Sequence, residues 1–340
     1  MIEYLKKIGN EKENLKNLNY KEAFSAHKKV INQKVPDIQI GSFWEVMNIK
    51  NSAEEELKGF LDSTRDEINY IDSDEFKPLD LSINYDGKNQ TMYVLPAAIF
   101  IATGAGAKMV GHGNNKVPFK MGITYHEILN EMGCSYIKDE NKILKTLELS
   151  GFAFYHQKYY SPKLHELLKK RKEFGLKNYL NTIELFFNPF KTSKILIGAS
   201  KNTSIHKYME IAYYMGFNDV FIVKGLEGGI EPCVNKETKL YSNKILGINI
   251  YPKNLNIKSS NLKIISVEEN AGICLSILKN KKHPLTSWAI LTSALLLIAY
   301  GKTEDLKEAI DMSEQSLKLN IANEMFEIYK NISNSDKVTV

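Results

Sequence analysis

The length, composition and charge of the chain limit the classes of protein it can belong to. Its 340 residues are 43% hydrophobic and 25% charged, which supports a real core in one large domain or two ordinary ones. The net charge of +5 is compatible with an anionic partner but does not require one. Cys134, Cys233 and Cys274 lie far apart, which excludes a disulfide framework or a cysteine zinc site and favours a reducing cytoplasm.

The first 75 residues or so indicate an all-helical region. Apolar side chains recur at near-helical spacing in residues 35–49, and Ser52 with Glu55 fits a capping box that would begin the next helix. Residues 72–80 are polar and contain a proline, so we interpret them as a linker to the next part of the chain.

After this linker the pattern alternates between strands and helices. Such alternation favours an α/β sheet with parallel strand pairs. A helical insertion interrupts it at residues 161–190, where Ser161, Pro162 and Gly175 are typical of helix ends, and this insertion could fold back onto the N-terminal helices. The predicted strands are "LDLSI", "AKMVGHGN", "GFAFYHQ", "KILIGAS" and "DVFIVKG", and the helices between them are "PAAIFIATGAG", "YHEILNEMG" and "IHKYMEIAYYMG".

No segment indicates a membrane protein. The first 15 residues lack the apolar core of a signal peptide. The longest apolar stretch, residues 287–300, is shorter than the ~20 residues that a membrane span needs, so we expect a buried helix there. The last ten residues, 331–340, are interpreted as a frayed tail.

Residues 83–96, "INYDGKNQTMYVLP", occupy the place where an α/β protein would have a phosphate-binding loop. The segment is polar, follows a predicted strand and leads into a helix. It contains one glycine, Gly87, and bulky neighbours. Glycines let backbone N–H groups approach a phosphate closely, so this segment has lost much of what such a loop requires.

The order of motifs from about residue 35 to residue 330 resembles the anthranilate phosphoribosyltransferase family, which shares a fold with the pyrimidine nucleoside phosphorylases. The resemblance implies an α/β protein with a small all-helical domain, a hinge and a central cleft. It places the small, dimerising domain at residues 1–76 and 163–190 and the large domain at 77–162 and 191–330. The matching stretches are "VPDIQIGSFWEVMNIKNSAEEELKGF", "GAGAKMVGHGNNKVPFKMGITYHEILNEMG", "SPKLHELLKKRKEFGLKN", "NPFKTSKILIGAS" and "VKGLEGGIE".

The family's phosphate loop matches this chain poorly. Active members have Gly-Thr-Gly-Gly-Asp at residues 82–86, of which only Asp86 matches, followed by a shared Gly87. Ile83 and Tyr85 crowd the space that glycines leave open. Residues 92–95, Met-Tyr-Val-Leu, stand where the family has Asn-Ile-Ser-Thr, so an amide and two hydroxyls are lost.

Other family positions are better kept. His112, Gly113 and Asn114 match a family loop, either as a live anion or base contact or as a turn kept for its shape. Lys116 and Lys120 supply cations nearby. Arg171, in the run "KKRK" with Lys170, matches the arginine that meets the anthranilate carboxylate in this family. The alternative for this run is a solvated helix face.

The family's acidic metal-binding pair is half present. Glu231 matches the glutamate of that pair, whereas Ile230 replaces the aspartate and cannot coordinate Mg²⁺. Glu227 precedes them in the same motif. Glu227 and Glu231 are therefore weak candidates for metal ligands, and the alternative is a capped turn with solvated carboxylates.

These departures are similar to a divergent branch of paralogues, for which the resemblance implies a homodimer that binds nucleic acid along a basic groove. We therefore predict a protein with no assignable catalytic residue and no cofactor that binds nucleic acid or another polyanion. The alternative is an active phosphoribosyltransferase that uses Mg²⁺. A phosphorylase-like enzyme that acts on a different nucleoside or base is a further alternative. Tyrosines in "FYHQKYYSPK" either stack on bases or pack at a hinge.

Overall fold

The computed structural model describes residues 1–9, 15–245, 247–251, 262–263 and 266–335. About half of the described residues are helical. The last helix ends at Asn334, so residues 331–334 are helical and not part of a tail, while residues 336–340 lie outside the described residues. The helices are α1 Ile2–Ile8, α2 Tyr20–Ile31, α3 Asp37–Lys50, α4 Glu54–Arg65, α5 Leu95–Gly104, α6 Tyr125–Glu131, α7 Glu140–Ser150, α8 Gln157–Tyr160, α9 Pro162–Phe174, α10 Leu180–Ile183, α11 Ile205–Tyr214, α12 Val267–Leu278, α13 Thr286–Tyr300, α14 Leu306–Lys318 and α15 Ile321–Asn334.

One mixed sheet, whose strands run in the order β3-β2-β1-β4-β5-β6-β7, forms the centre of the fold. Strands β1 to β5 pair in parallel, as the alternation of strands and helices predicts. The sequence pattern missed the antiparallel strands β6 and β7 at one end of the sheet, which are partly exposed. The strands are β1 Leu79–Ser82, β2 Met109–Gly113, β3 Phe152–His156, β4 Lys194–Gly198, β5 Asp219–Val223, β6 Thr238–Ser242 and β7 Ile248–Ile250.

The strand order creates a crevice at the carboxyl ends of β1 and β4. From β1 the chain adds β2 and β3 on one side of the sheet, and then returns to add β4 and β5 on the other side. The connections after β1 and β4 therefore diverge. In open α/β sheets this switch point is where ligands bind.

The helical insertion folds back onto the N-terminal helices, as the sequence analysis suggested. Tyr179 stacks on Phe60 of α4 with ring centroids 4.2 Å apart, and its ring edge meets Phe43 of α3. Its hydroxyl lies 2.7 Å from Nδ1 of the buried His27. The α/β fold with a small helical part is therefore confirmed, whereas the exact domain boundaries stay a prediction.

Two local expectations meet different outcomes. The apolar stretch at 287–300 forms α13, and most of the side chains of this helix are buried, as predicted. Within the described part of the chain, no helix is both long and apolar enough to cross a membrane. The capping box is wrong by one residue, because Ala53 is the N-cap of α4 and its N–H donates to Glu56 at 2.7 Å. Glu56 also forms an ion pair with Lys50, and both side chains are buried, so the start of α4 is enclosed by the protein.

Candidate functional site: a cleft at the switch point of the sheet

A cleft of about 610 Å³ opens at the carboxyl ends of β1, β4 and β5. Its floor is formed by the segments that follow these strands. The resemblance placed a ligand site in the same region, and the switch-point geometry supports that position independently. The floor includes Asn84, Tyr85, Asp86, Asn89, Gln90, Gly198, Ser200, Glu227 and Gly228.

The bulky residues of the loop after β1 are built into the protein. Ile83 is 3% exposed and belongs to the core between the sheet and α5. Tyr85 is also 3% exposed, and its hydroxyl is 2.6 Å from the hydroxyl of Tyr160 and hydrogen-bonded to Nδ1 of His112. Burial raises the pKa of both tyrosines, so these hydroxyls stay neutral.

His112 belongs to this buried network and does not line the cleft. Its Nε2 lies 3.2 Å from Oδ1 of Asp80 on the neighbouring strand β1, and both side chains are fully enclosed. Burial raises the pKa of Asp80, and the imidazole beside it acts in the opposite direction. Gly113 ends β2 directly after His112. The contacts of His112 thus fit a group that holds β1, β2 and the Tyr85 loop together.

Asp86 and Lys120 meet at the cleft floor. Lys120 Nζ is 3.4 Å from Asp86 Oδ1 and donates to the carbonyl oxygens of Gly87 at 3.2 Å and Glu227 at 3.1 Å. Burial raises the pKa of Asp86, and the Lys120 ammonium lowers it again. Lys120 is therefore a bridge between the loops after β1 and β5, and most of its donors are already in use.

Gly87 is required by the backbone around it. Its φ is +70°, and an added Cβ would lie 2.4 Å from the carbonyl oxygen of Ile123. Next to it, Lys88 and Ile123 exchange two N–H···O bonds of 2.8 Å. The glycine thus permits a close approach between two protein segments, which is a different task from admitting a phosphate.

Glu227 occupies a nest of backbone amides on the cleft wall. Its carboxylate accepts from the N–H groups of Asn89 at 3.1 Å, Gln90 at 3.2 Å and Thr91 at 2.6 Å, and from the Thr91 hydroxyl at 2.7 Å. Consecutive amides of this kind bind anions. Here the anion is a side chain of the protein, held on a residue with φ of +53°.

Replacing Glu227 with alanine should free these amides. Hydrogen bonds to charged groups contribute about 1.5–3 kcal/mol each at most, and exposure reduces that value here. We expect the amides of residues 89–91 to exchange with deuterium at least tenfold faster in Glu227→Ala, while those of β1 keep their wild-type rates. Glu227→Gln, which retains one acceptor, should lie between the two. Unchanged exchange at 89–91 would contradict the assigned contacts.

Glu231 is enclosed and fully used by protein partners. Its Oε2 forms an ion pair with Lys88, and its Oε1 accepts from the N–H groups of Val94 at 3.0 Å and Leu95 at 3.3 Å at the start of α5. Lys88 Nζ also lies 4.2 Å from the centroid of the Tyr93 ring. A metal ion here would have to displace a buried ammonium.

The candidate metal ligands therefore do not converge. Glu231 faces Lys88, Glu227 faces the amides of residues 89–91, and Ile230 between them is 1% exposed. Across residues 1–9, 15–245, 247–251, 262–263 and 266–335, no cluster of three or more His, Cys, Asp or Glu side chains is suited to hold a metal ion.

Arg171 is buried and paired with Glu184. Its two terminal nitrogens lie 2.6 and 3.1 Å from the two carboxylate oxygens, a bidentate pair whose members are both 1% exposed. Glu184 accepts a further bond of 3.1 Å from Gln157, which in turn accepts from Asn114 at 2.7 Å. Arg171 and Asn114, both predicted to contact an anion, thus meet an internal carboxylate and its neighbour.

Lys116 and Lys170 lie outside the lining of the cleft. Lys116 Nζ is 3.6 Å from Oε1 of Glu127, and its side chain is 45% exposed. Lys170 on α9 forms an ion pair with Asp37 on α3. The basic run of α9 is thus split between the buried Arg171 and solvated surface charges, of the kind that contribute little individually.

Three other lysines, which no sequence motif singles out, face the cleft. Lys177, Lys201 and Lys236 line it and are exposed, and none forms an ion pair with the residues that the structure describes. Phe119, 52% exposed, lies in the same wall. Position in the fold is the only signal that separates these side chains from other surface lysines and aromatics.

Comparison with known proteins shows the family of the chain. The model of the glycosyl transferase family, a/b domain, matches residues 86–320, which is more than half of the chain. The chain belongs to this family. All residues that line the cleft lie within the matched range except Asn84 and Tyr85, which directly precede it.

Two relatives and one solved structure fit this family assignment. A protein of Aquifex aeolicus (strain VF5) named only as uncharacterized is 32% identical, with 91% of this chain and 96% of the relative covered. The anthranilate phosphoribosyltransferase of the same organism is 26% identical over 98% of both chains. Anthranilate phosphoribosyltransferase from Saccharomyces cerevisiae in complex with PRPP and Mg shares the fold, with a TM-score of 0.84, 19% identity and 98% of each chain covered.

Proposed function

We propose that this glycosyl transferase family member binds nucleic acid or another polyanion in the switch-point cleft, without reading sequence. The observation that carries the proposal is the set of Lys177, Lys201 and Lys236, three exposed ammonium groups on one cleft with no ion-pair partner among residues 1–9, 15–245, 247–251, 262–263 and 266–335. Unpaired cations that converge on one cavity attract phosphates and raise the association rate of anionic ligands.

The contacts of the cleft do not fit a bound Mg²⁺ and phosphoribosyl pyrophosphate. Ile83 and Tyr85 fill the space next to the loop amides, and the amides of residues 89–91 already hold Glu227. Glu231 is paired with a buried ammonium. These contacts therefore support binding at the cleft and not phosphoribosyl transfer.

A homodimer and a cytoplasmic location are part of the proposal. Ile38 and Ile49 on α3 are 80% and 65% exposed and lie on one face of the helix, which supports a partner on that side. Dimerisation through α3 would leave the cleft free, since α3 contributes no residue to the cleft lining.

Binding of a fluorescent oligonucleotide at several salt concentrations tests the proposal. We expect log affinity to fall linearly with log salt for the wild type. The triple variant Lys177→Ala, Lys201→Ala, Lys236→Ala should bind at least tenfold more weakly. Its slope should be smaller by about 2–3, because each lost phosphate contact removes about 0.7–0.9 from the slope.

The matched control removes the same charge elsewhere. Lys279, Lys281 and Lys282 form an exposed loop before α13 that does not line the cleft. Their triple alanine variant should retain most of the affinity and most of the slope. Equal losses in the two triple variants would reduce the effect to net charge, and a salt-independent affinity of the wild type would overturn the proposal.

The enzyme alternative rests on the similarity to the anthranilate phosphoribosyltransferase relative and makes the opposite prediction. Anthranilate is fluorescent, so its consumption in the presence of phosphoribosyl pyrophosphate and Mg²⁺ can be followed directly. We expect no turnover, and no rescue of a tryptophan auxotroph that lacks this activity. Consumption above that of a protein-free control would establish the transferase instead.

A further inference from the structure

Phe119 is placed unusually for an aromatic residue of a cationic cleft. It follows Pro118 in the segment between β2 and α6, is 52% exposed and belongs to the cleft wall that also contains Lys120. A single exposed apolar side chain is ordinary on a protein surface. Its position among the unpaired cations of a ligand-sized cleft is what calls for an explanation.

The backbone around Phe119 is fixed on both sides. The carbonyl oxygen of Pro118 accepts a 2.8 Å hydrogen bond from Asn181, which belongs to the helical insertion. On the same side, Val117 is fully buried. On the other side, the side chain of Lys120 donates to the carbonyl oxygens of Gly87 and Glu227. The ring is therefore carried by an anchored segment, so little order has to be gained when a ligand contacts it.

The surroundings of the ring suit a nucleotide. Lys177 and Asn181 approach from the helical insertion, and Lys201 and Lys236 approach from the sheet side of the same cleft. Asn89 and Gln90 are exposed at its floor, because only their backbone N–H groups are engaged by Glu227. Tyr208 also lines the cleft but is only partly exposed, so Phe119 is its most exposed aromatic ring. The cleft thus combines an exposed aromatic face, cations and amide side chains that can both donate and accept.

We propose that Phe119 is a stacking platform for an unpaired base of single-stranded nucleic acid whose phosphates meet Lys177, Lys201 and Lys236. Single-strand binders combine cations with aromatic faces in this way, and stacking tolerates every base. The bases of a duplex are already stacked on each other, so their faces are not available to the ring. The inference rests on the proposed function and specifies the ligand of that same cleft.

Three oligonucleotides of one length separate the contributions of base and phosphate. A single strand of thymidines, the same backbone with abasic sites, and a duplex are compared by fluorescence anisotropy at one salt concentration. We expect Phe119→Ala to weaken binding of the thymidine strand roughly 5- to 100-fold, in line with one lost stacked base. The same variant should leave the abasic strand and the duplex unchanged within about twofold.

Two further variants complete the test. Phe119→Trp retains an aromatic face and should bind the thymidine strand as the wild type does, with its fluorescence quenched when a base stacks on it. Met121 lies in the same segment, is 40% exposed and is not part of the cleft lining, so Met121→Ala should behave as the wild type. Thermal unfolding of each variant shows whether it is folded.

The outcomes separate this inference from the proposed function. If the wild type binds all three oligonucleotides equally well and Phe119→Ala changes nothing, the polyanion function stands and the stacking platform is wrong. A loss of equal size for the thymidine and abasic strands would also overturn the platform. If the wild type binds none of the three, the proposed function fails first.

Discussion

Glu184→Ala is expected to destabilise the protein by about 3–5 kcal/mol, because it leaves the guanidinium of Arg171 buried without its carboxylate. Both side chains of this bidentate pair are 1% exposed, and Glu184 also accepts a hydrogen bond from Gln157. Equilibrium unfolding in urea, followed by circular dichroism, measures the change. We expect a lower midpoint with a slope close to that of the wild type.

The controls compare a buried pair with a surface pair. Removing both charges in Glu184→Ala, Arg171→Met should recover part of the loss, since no unpaired buried charge remains. Lys170 lies next to Arg171 on α9 and pairs at the surface with Asp37 of α3, so Lys170→Ala should change stability by less than about 1 kcal/mol. If Glu184→Ala were as mild as Lys170→Ala, Arg171 would have to be solvated and available to ligands.

Glu231→Ala should cause a loss of similar size, about 3–5 kcal/mol, for two physical reasons. It leaves the ammonium of Lys88 buried without a counter-charge, and it removes the acceptor of the Val94 and Leu95 amides at the start of α5. Free N–H groups at a helix start are stabilised by such acceptors. Urea unfolding again measures the loss.

Glu231→Gln separates these two contributions. The amide oxygen of glutamine can still accept from Val94 and Leu95, so the loss that remains reports on the charge of Lys88. Lys88→Met combined with Glu231→Gln should then be more stable than Glu231→Gln alone. If added Mg²⁺ raised the midpoint of the wild type and not that of Glu231→Ala, Glu231 would be a metal ligand and the ion-pair assignment would be wrong.

Three glutamates give the site a common character. Glu184 neutralises the arginine expected to meet a substrate carboxylate, Glu227 fills a nest of amides, and Glu231 is paired with Lys88. Each glutamate thus supplies a carboxylate from the protein itself to a cation or a set of amides that could otherwise bind an anionic ligand. The cations left for a partner are the exposed lysines of the cleft, and the proposed function depends on these.

Much of the fold and part of the site could be predicted from sequence. The five parallel strands could be predicted from apolar runs that alternate with helical patterns. Burial of strands and of helices gives apolar residues a different spacing along the sequence, so the two kinds of element can be told apart. The strands β6 and β7 were not predicted. Residues 238–242 are partly exposed and contain no apolar run, and β7 has only three residues. Of the three tyrosines considered for base stacking, Tyr155 and Tyr160 are buried and Tyr159 is half-buried. None of them lines the cleft, so packing describes Tyr155 and Tyr160 better than base stacking does.

The sequence by itself determined the family resemblance and the loss of glycines, hydroxyls and one aspartate from the phosphate and metal motifs, because these depend on which residue stands at a given place. Only the tertiary structure decided which charges are free. Lys88 and Glu231 are 143 residues apart in the chain, and Lys170 and Asp37 are 133 apart. Since a charge is neutralised by whatever the fold brings next to it, Arg171 is buried in a pair while Lys177 and Lys201 are left open to an anionic partner.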